Sequence, residues 1–308
     1  QAKLSFPQTP TNIVAPNYFN ESVGISGDVI IAGAFGRAFV FQKPVGGWAN
    51  MIPTGELTVT DNFPNGQFGA NVAIDGDNIV IGSRSDLNSG SAYVFTRPVG
   101  GWGSMTETAK LTSSDLATSV LLGSGVSISG DVIVLGAPRD DHAVVDGGSA
   151  YVYVKAGAAW ITATENAKLT SSDVAANDYF GYSVSISGDN IVIGAYADDD
   201  NGSSSGSAYV FEKPGGGWSS MTESAKLTSS DGIGNDQFGQ IVRISGDNIL
   251  IGCIGNNDFG SYSGSSYIYS KPGVNWINMT SETAKLLPSD GSTNDYYGYA
   301  IGISGDRV

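Results

Sequence analysis

The stretch AKLTSSDVAANDYFGYSVSISGDNIVIGAYADDDNGSSSGSAYVFEKPGGGWSSMTES, from Ala167 to Ser224, is followed at Ala225 by AKLTSSD once more. Internal repetition has to be settled before any local reading, because a missed period miscasts the whole fold. All five tryptophans, Trp48, Trp102, Trp160, Trp218 and Trp276, hold one repeat position, spaced 54, 58, 58 and 58 residues apart. The pair Gly188-Asp189 has counterparts at Gly27-Asp28, Gly76-Asp77, Gly130-Asp131, Gly246-Asp247 and Gly305-Asp306. The units run over approximately 2–55, 56–108, 109–166, 167–224 and 225–283, with a partial one over 284–308.

Four segments of the quoted unit read as strands. In SVSIS, Val184 and Ile186 alternate with serines, the period of a strand with one buried face. Gly188-Asp189 is a tight turn into the apolar run Ile191-Val192-Ile193, so these two strands form a hairpin. A polar loop leads to SAYVF, where Tyr209 and Phe211 share a face. The counterparts are Phe39 and Phe41, Tyr93 and Phe95, Tyr151 and Tyr153, and Tyr267 and Tyr269, which predicts aromatic packing between successive sheets. After a Gly/Pro turn and the tryptophan, AKL supplies a shorter fourth strand.

Four antiparallel strands per unit and no helical period predict an all-β chain, a β-propeller of four-stranded blades forming a single domain over residues 1–308. The outer AKL-type segment and the inner segment each occur six times, but the two middle strands only five times. Lys3-Leu4 therefore reads as an orphan outer strand and Tyr297 to Asp306 as an orphan inner one. The expectation is five complete blades plus two half-blade ends, within an intact protein of six or seven blades that continues past Val308.

The order FG, inner strand, IGA resembles the FG-GAP repeat of integrin alpha-subunit propellers. The wording SISGD…IVIGA…GSAYVF…W…AKL resembles the bacterial-type variant more closely. Phe68-Gly69, Phe180-Gly181 and Phe238-Gly239 carry the first element, and Gly33, Gly82, Gly136, Gly194 and Gly252 stand in the second. The resemblance covers essentially the whole chain, favours seven blades, and implies an adhesive, lectin-like or scaffolding role at the cell exterior. The family's aspartate-rich calcium loop does not carry over: the connection it would occupy is here reduced to Gly-Asp, too short to wrap a cation that takes six to eight oxygens.

Composition narrows the function classes. The 308 residues are 41% apolar but only 15% charged, with 43 glycines. A net charge of −15 repels phosphate backbones, so nucleic acid is excluded as a partner. No apolar run approaches the roughly 18 residues of a membrane span, so insertion into a membrane is not expected. The start at Gln1, directly before repeat material, fits a secreted or cell-surface protein whose signal peptide has been removed. The single Cys253 allows no intramolecular disulfide and stands where other units have alanine, which marks it as a small buried thiol.

No catalytic residue is assigned and the chain is read as a non-enzyme. His142 is the only histidine and has no recurrent nucleophile beside it. Arg243, where other units have Ser127 or Ser185, is the one polar residue that breaks the repeat on an inner strand, and one residue does not make an active site. The serines of TSSD are expected to bond their own backbone on short turns.

Variation concentrates between the second and third strands, and such loops on one face are the natural place for recognition. The candidate ligand-binding residues are Asp140, Asp141, His142, Asp146, Asp198, Asp199, Asp200, Asn201, Asp258, Phe259 and Tyr262. Asp198, Asp199 and Asp200 also offer oxygens to calcium, against the alternative of a solvated acidic turn; no cofactor is required. A recurrent acid, Asp61, Asp115, Asp173, Asp231 or Asp290, follows the TSS segment, and Asp178, Asp236 and Asp295 add a second. Their expected duty is structural, such as capping backbone amides. Sequons stand at Asn20, Asn201 and Asn278.

These features predict an extracellular adhesion or ligand-binding propeller whose partner is protein or glycan. The alternative is a structural subunit of a surface layer, appendage or filament, with copies of itself as partner.

Overall fold

The computed structural model describes residues 3–4, 19–34, 36–61, 67–86, 89–115 and 119–308, with backbone only at 19–21. Among these, five sheets and no α-helix are present. The first sheet holds β1 (Phe19–Ser26), β2 (Val29–Ala34), β3 (Arg37–Gln42) and β4 (Gly55–Thr58). The second holds β5 (Phe68–Asp75), β6 (Asn78–Ser83), β7 (Ser91–Thr96) and β9 (Ala109–Thr112). The third holds β10 (Gly125–Ser129), β11 (Val132–Ala137), β12 (Ser149–Val154) and β14 (Ala167–Leu169). The fourth holds β15 (Ser183–Ser187), β16 (Asn190–Ala195), β17 (Ser207–Glu212) and β18 (Ala225–Leu227). The fifth holds β19 (Phe238–Ser245), β20 (Asn248–Cys253), β21 (Ser265–Ser270) and β22 (Ala284–Leu286).

Every sheet is an antiparallel meander, and each AKL strand closes the sheet that precedes it in the chain. The first strands stand side by side in chain order, β1 against β5, β5 against β10, β10 against β15 and β15 against β19. This is the arrangement of β-propeller blades. The hairpin turn is tight because Gly188 adopts φ +57°, cheap only for a residue without Cβ, and it pairs Ser187 with Asn190.

The middle strands are buried on both faces. On β17, Tyr209 and Phe211 pack toward the third blade, in one cluster with Val134, Val152 and Leu169. Ala208 and Val210 pack the other way, against Tyr267 and Tyr269 of the fifth. Large residues of one blade thus meet small residues of the next, which fills the gap without overlap. The phenylalanine of each FG pair seals the seam: Phe180 lies edge-on to Tyr209 at 5.3 Å and to Phe211 at 6.0 Å, a geometry worth about 1 kcal/mol per pair beyond area burial.

Two devices join neighbouring blades through polar groups. The inner-strand serines are not a solvent face. Ser183, Ser185 and Ser187 accept through Oγ from the backbone N–H of Val242, Ile244 and Gly246 at 3.0, 3.2 and 3.0 Å. Ser127 and Ser129 do the same for Ile186 and Gly188. At the other end of the sheet, a segment just after each tryptophan reaches back to the preceding blade and lies parallel to its outer strand. β8 (Met105–Thr106) pairs with β4, and β13 (Ala163–Thr164) pairs with β9. Single bridges Leu4–Met51, Leu169–Met221 and Leu227–Met279 repeat the contact. Each added segment covers an edge that would otherwise present unpaired backbone groups.

The TSSD serines serve the same junction, which corrects the expectation of local turns. Ser172 donates from N and Oγ to Glu223 at 3.0 and 2.6 Å, and Ser114 does so to Glu165 at 2.9 and 2.5 Å. The partner lies one repeat away in sequence, so short-range turn chemistry could not reveal it.

Candidate functional site

The loop after the second strand opens onto a cluster built on a cross-strand pair. Tyr209 stands opposite Lys226 between β17 and β18, which places the ammonium over the ring at 5.0 Å. Lys226 Nζ is bonded to Asp173 at 2.6 Å, to Asp198 at 3.2 Å and to Asp200. The Tyr209 hydroxyl lies between two carboxylates, 3.0 Å from Asp173 and 2.5 Å from Asp198, with its one proton shared between them. Burial works against the Lys226 ammonium, but its bonds to Asp173 and Asp200 outweigh that and hold its pKa above the usual range. Burial, then the charge on Asp198, pushes the Tyr209 phenol well up.

The same cluster recurs around Lys110, with Asp61, Asp86 and Tyr93, and around Lys168, with Asp115, Asp140 and Tyr151. Around Lys285 it comprises Asp231, Asp258 and Tyr267, with Asn256 donating to the tyrosine hydroxyl in place of the buried acid. In the first blade the polarity is exchanged: Glu56 takes the lysine position and pairs with Arg37 at 2.6 Å, and Arg37 lies over Phe39. Recurrence in every blade marks a structural unit. Asp61, Asp115, Asp173 and Asp231 thus bond a lysine and a tyrosine where amide capping was expected; of the second acids, Asp178 accepts from Ala175 N–H and Asp236 from Ile233 N–H.

Asp178 is buried beside this cluster, and burial, then the charges of Asp198, Asp173 and Asp199, raise its pKa to about 6. A raised carboxyl pKa means that the folded chain binds the proton more tightly than the unfolded one. Its contribution to stability is full below the unfolded value near 3.8 and is lost as pH rises through 6. Asp178→Asn keeps an acceptor for Ala175 and removes the charge. The variant should be more stable than wild type at pH 7.5, by on the order of 1–2 kcal/mol, with the difference vanishing near pH 4. Urea titration at both pH values checks this, and equal stability at pH 7.5 would contradict it.

The variable loops of the third, fourth and fifth blades share one frame. Their first residues, Asp140, Asp198 and Asn256, are buried against the tyrosine. Their second residues cap the amide five positions on, Asp141 to Asp146 at 2.7 Å, Asp199 to Ser204 at 2.7 Å and Asn257 to Tyr262 at 2.9 Å. His142 and Asn201 are exposed around this frame, Asp146 is half-buried, and Phe259 and Tyr262 project from the fifth-blade loop. Of the three aspartates offered for calcium, Asp198 and Asp200 converge with Asp173, within 4.8 Å of one another, upon the Lys226 ammonium. Asp199 is directed to Ser204. Arg243 is exposed on β19 and donates to the Val242 carbonyl at 2.8 Å. Cys253 is fully buried, its Sγ 3.2 Å from the Asp236 carbonyl. Asn278 is exposed, with Oδ1 accepting from Lys226 N–H at 2.8 Å. Asn20 lies on β1, its side chain outside the described residues.

Sequence reasoning missed a group of rings at the seam between the third and fourth blades. Tyr179 stacks on Tyr196 with centroids 5.5 Å apart and planes 6° apart, and Tyr182 meets Tyr196 edge-on at 4.7 Å. Burial, with Tyr182 and Tyr179 alongside, raises the Tyr196 phenol pKa, and Arg139 from the third-blade loop acts in the opposite direction. The readable signal was NDYFGY beside NDQFGQ in the next unit, a change of residue type at two positions of an otherwise matching segment.

The chain matches no curated protein. Among solved structures it is similar to the crystal structure of the computationally designed Ika4 protein, at 14% identity and a TM-score of 0.40, over 69% of this chain and 98% of that one. The model of the FG-GAP repeat matches five times, over residues 54–95, 105–153, 163–211, 221–269 and 280–308. No helix among the described residues is long and apolar enough to cross a membrane. With blades of the expected construction and repeat matches along most of its length, the chain belongs to the FG-GAP repeat family.

Proposed function

We propose that this propeller is a non-enzymatic, extracellular adhesion or ligand-binding module that recognises protein or glycan through the variable loops on one face. The observation that carries the reading is the common loop frame with unlike tips. The capped backbone of 141–146, 199–204 and 257–262 is held alike, while the residues inside it are His-Ala-Val-Val, Asp-Asn-Gly-Ser and Asp-Phe-Gly-Ser. A rigid frame with variable tips is how a scaffold supports recognition, and several related loops on one molecule add weak contacts through effective concentration.

The groups that could do chemistry are committed elsewhere: the recurrent lysines, tyrosines and aspartates to one another, the serines to neighbouring blades. Calcium is not needed on this reading, since Lys226 already supplies a cation between Asp173, Asp198 and Asp200. The loop tips can be exchanged for Gly-Ser sequences of equal length that retain Asp141, Asp199 and Asn257. Retention of the folded variant on immobilised cell-surface material should fall at least about tenfold, with or without a chelator. Undiminished retention would overturn the reading.

A further inference from the structure

We propose that the tyrosine group at the seam between the third and fourth blades is a carbohydrate shelf, a subsite for a neutral sugar ring; this rests on the ligand-binding reading above and assigns its ligand class. Tyr179 and Tyr182 are the two ends of one turn at the entry to β15, closed by Tyr182 N–H on the Tyr179 carbonyl at 3.1 Å, and Tyr196 follows β16, so two connections converge on one ring cluster.

The rings are not required by the fold. Tyr179 has φ +55° and donates from N to Asp146 O at 3.1 Å. At the next seam Gln237 has φ +58° and donates to Ser204 O at 3.0 Å, in the same backbone geometry with no ring. Gln240 and Ile254 likewise stand where this seam has Tyr182 and Tyr196. Rings also recur after the fifth blade, where Tyr296, at φ +53°, meets Tyr262 at 5.7 Å and Tyr299 is exposed.

Their hydroxyls separate them from the core tyrosines. Tyr93, Tyr151, Tyr209 and Tyr267 bond to carboxylates, and Tyr153 and Tyr269 donate to the carbonyls of Thr112 and Thr228. Among the described residues, no protein partner lies within hydrogen-bond reach of the Tyr179, Tyr182 or Tyr196 hydroxyls. Tyr182 is 40% exposed. Tyr179 and Tyr196 are half-buried and stacked on each other, so Tyr182 is the ring that meets solvent, and an exposed ring beside unbonded phenolic groups matches a sugar, which presents C–H bonds on its faces and hydroxyls at its edge.

Other ligand classes fit less well. A quaternary ammonium needs rings that surround a space, whereas these touch one another, and Arg139 lies beside them. An anionic ligand would meet Asp146, Asp178 and Asp199 on the adjoining loops, in a chain of net charge −15.

The test is calorimetric titration of the full chain and of Tyr182→Ala and Tyr182→Phe with cello-, malto- and mannohexaose, a trimethyl-lysine peptide and dextran sulfate. At least one hexaose should bind the wild type, about tenfold more weakly to Tyr182→Ala and within about threefold to Tyr182→Phe. Tyr182 is exposed, and circular dichroism confirms that each variant folds. A wild type that binds no hexaose, an unchanged affinity in Tyr182→Ala, or binding of the peptide or dextran sulfate alone would overturn the shelf. If no hexaose binds while cell-surface material is still retained through the loop tips, only the shelf falls; if neither is bound, both readings fall.

Discussion

Lys226→Met should lower the unfolding free energy by about 3 kcal/mol, within the range for removing one partner of a buried ion pair. The methionine fills much the same volume, so the loss isolates charge. Three carboxylates, Asp173, Asp198 and Asp200, then face one another without the ammonium that holds them, and Asp198 is buried, so water cannot take its place. Asp173→Ala should also destabilise, but less, because Asp198 and Asp200 still satisfy the lysine. Guanidinium denaturation with and without calcium measures both. A loss below about 1 kcal/mol in Lys226→Met, or a loss in Asp173→Ala seen only with calcium present, would contradict the ion-pair account.

Gly194→Ala should cost about 3 kcal/mol or more, the upper range for overpacking a filled site. A methyl group built on Gly194 would overlap the carbonyl oxygen of Gly239 in the next blade. The same contact recurs between Gly33 and Gly69, Gly82 and Gly123, Gly136 and Gly181, and Gly252 and Gly298. The glycine of IGA in one blade therefore meets the glycine of FG in the next, and the obstacle is backbone, which cannot rotate away. Gly46→Ala, where nothing lies within 4 Å of the added methyl, is the control and should be near neutral. A Gly194→Ala protein as stable as this control would mean that the blades can shift apart at no cost.

These predictions draw on different degrees of legibility. The hairpin around Gly188-Asp189 was readable because its determinants, period-two alternation and a two-residue turn, sit within a dozen residues. The shared face of Tyr209 and Phe211 was readable for the same reason, although both faces of that strand proved to be buried. The lysine cluster was only half visible. The TSSD acid was recognised as recurrent, but its partner Lys226 is 53 residues further on. A clue existed inside the chain: where the first blade has Glu56 in the lysine position it also has Arg37 where the other blades have serine, a compensating exchange of sign. The acids of the variable loops looked like one candidate surface. Folding divided them into buried Asp140 and Asp198, amide-capping Asp141 and Asp199, and lysine-bound Asp200 and Asp258.

By itself the sequence determined the four main strands of each blade and the family, since a local pattern written five times over leaves one consistent secondary structure; it did not show β8 or β13, and the inner strand expected over Tyr297 to Asp306 is not formed. Only the tertiary structure decided what the polar residues are for. Serines one repeat apart from the amides they bind and a parallel segment closing the sheet before it are contacts between units. A repeating chain carries no local mark of which neighbour each group will meet until the blades are set side by side.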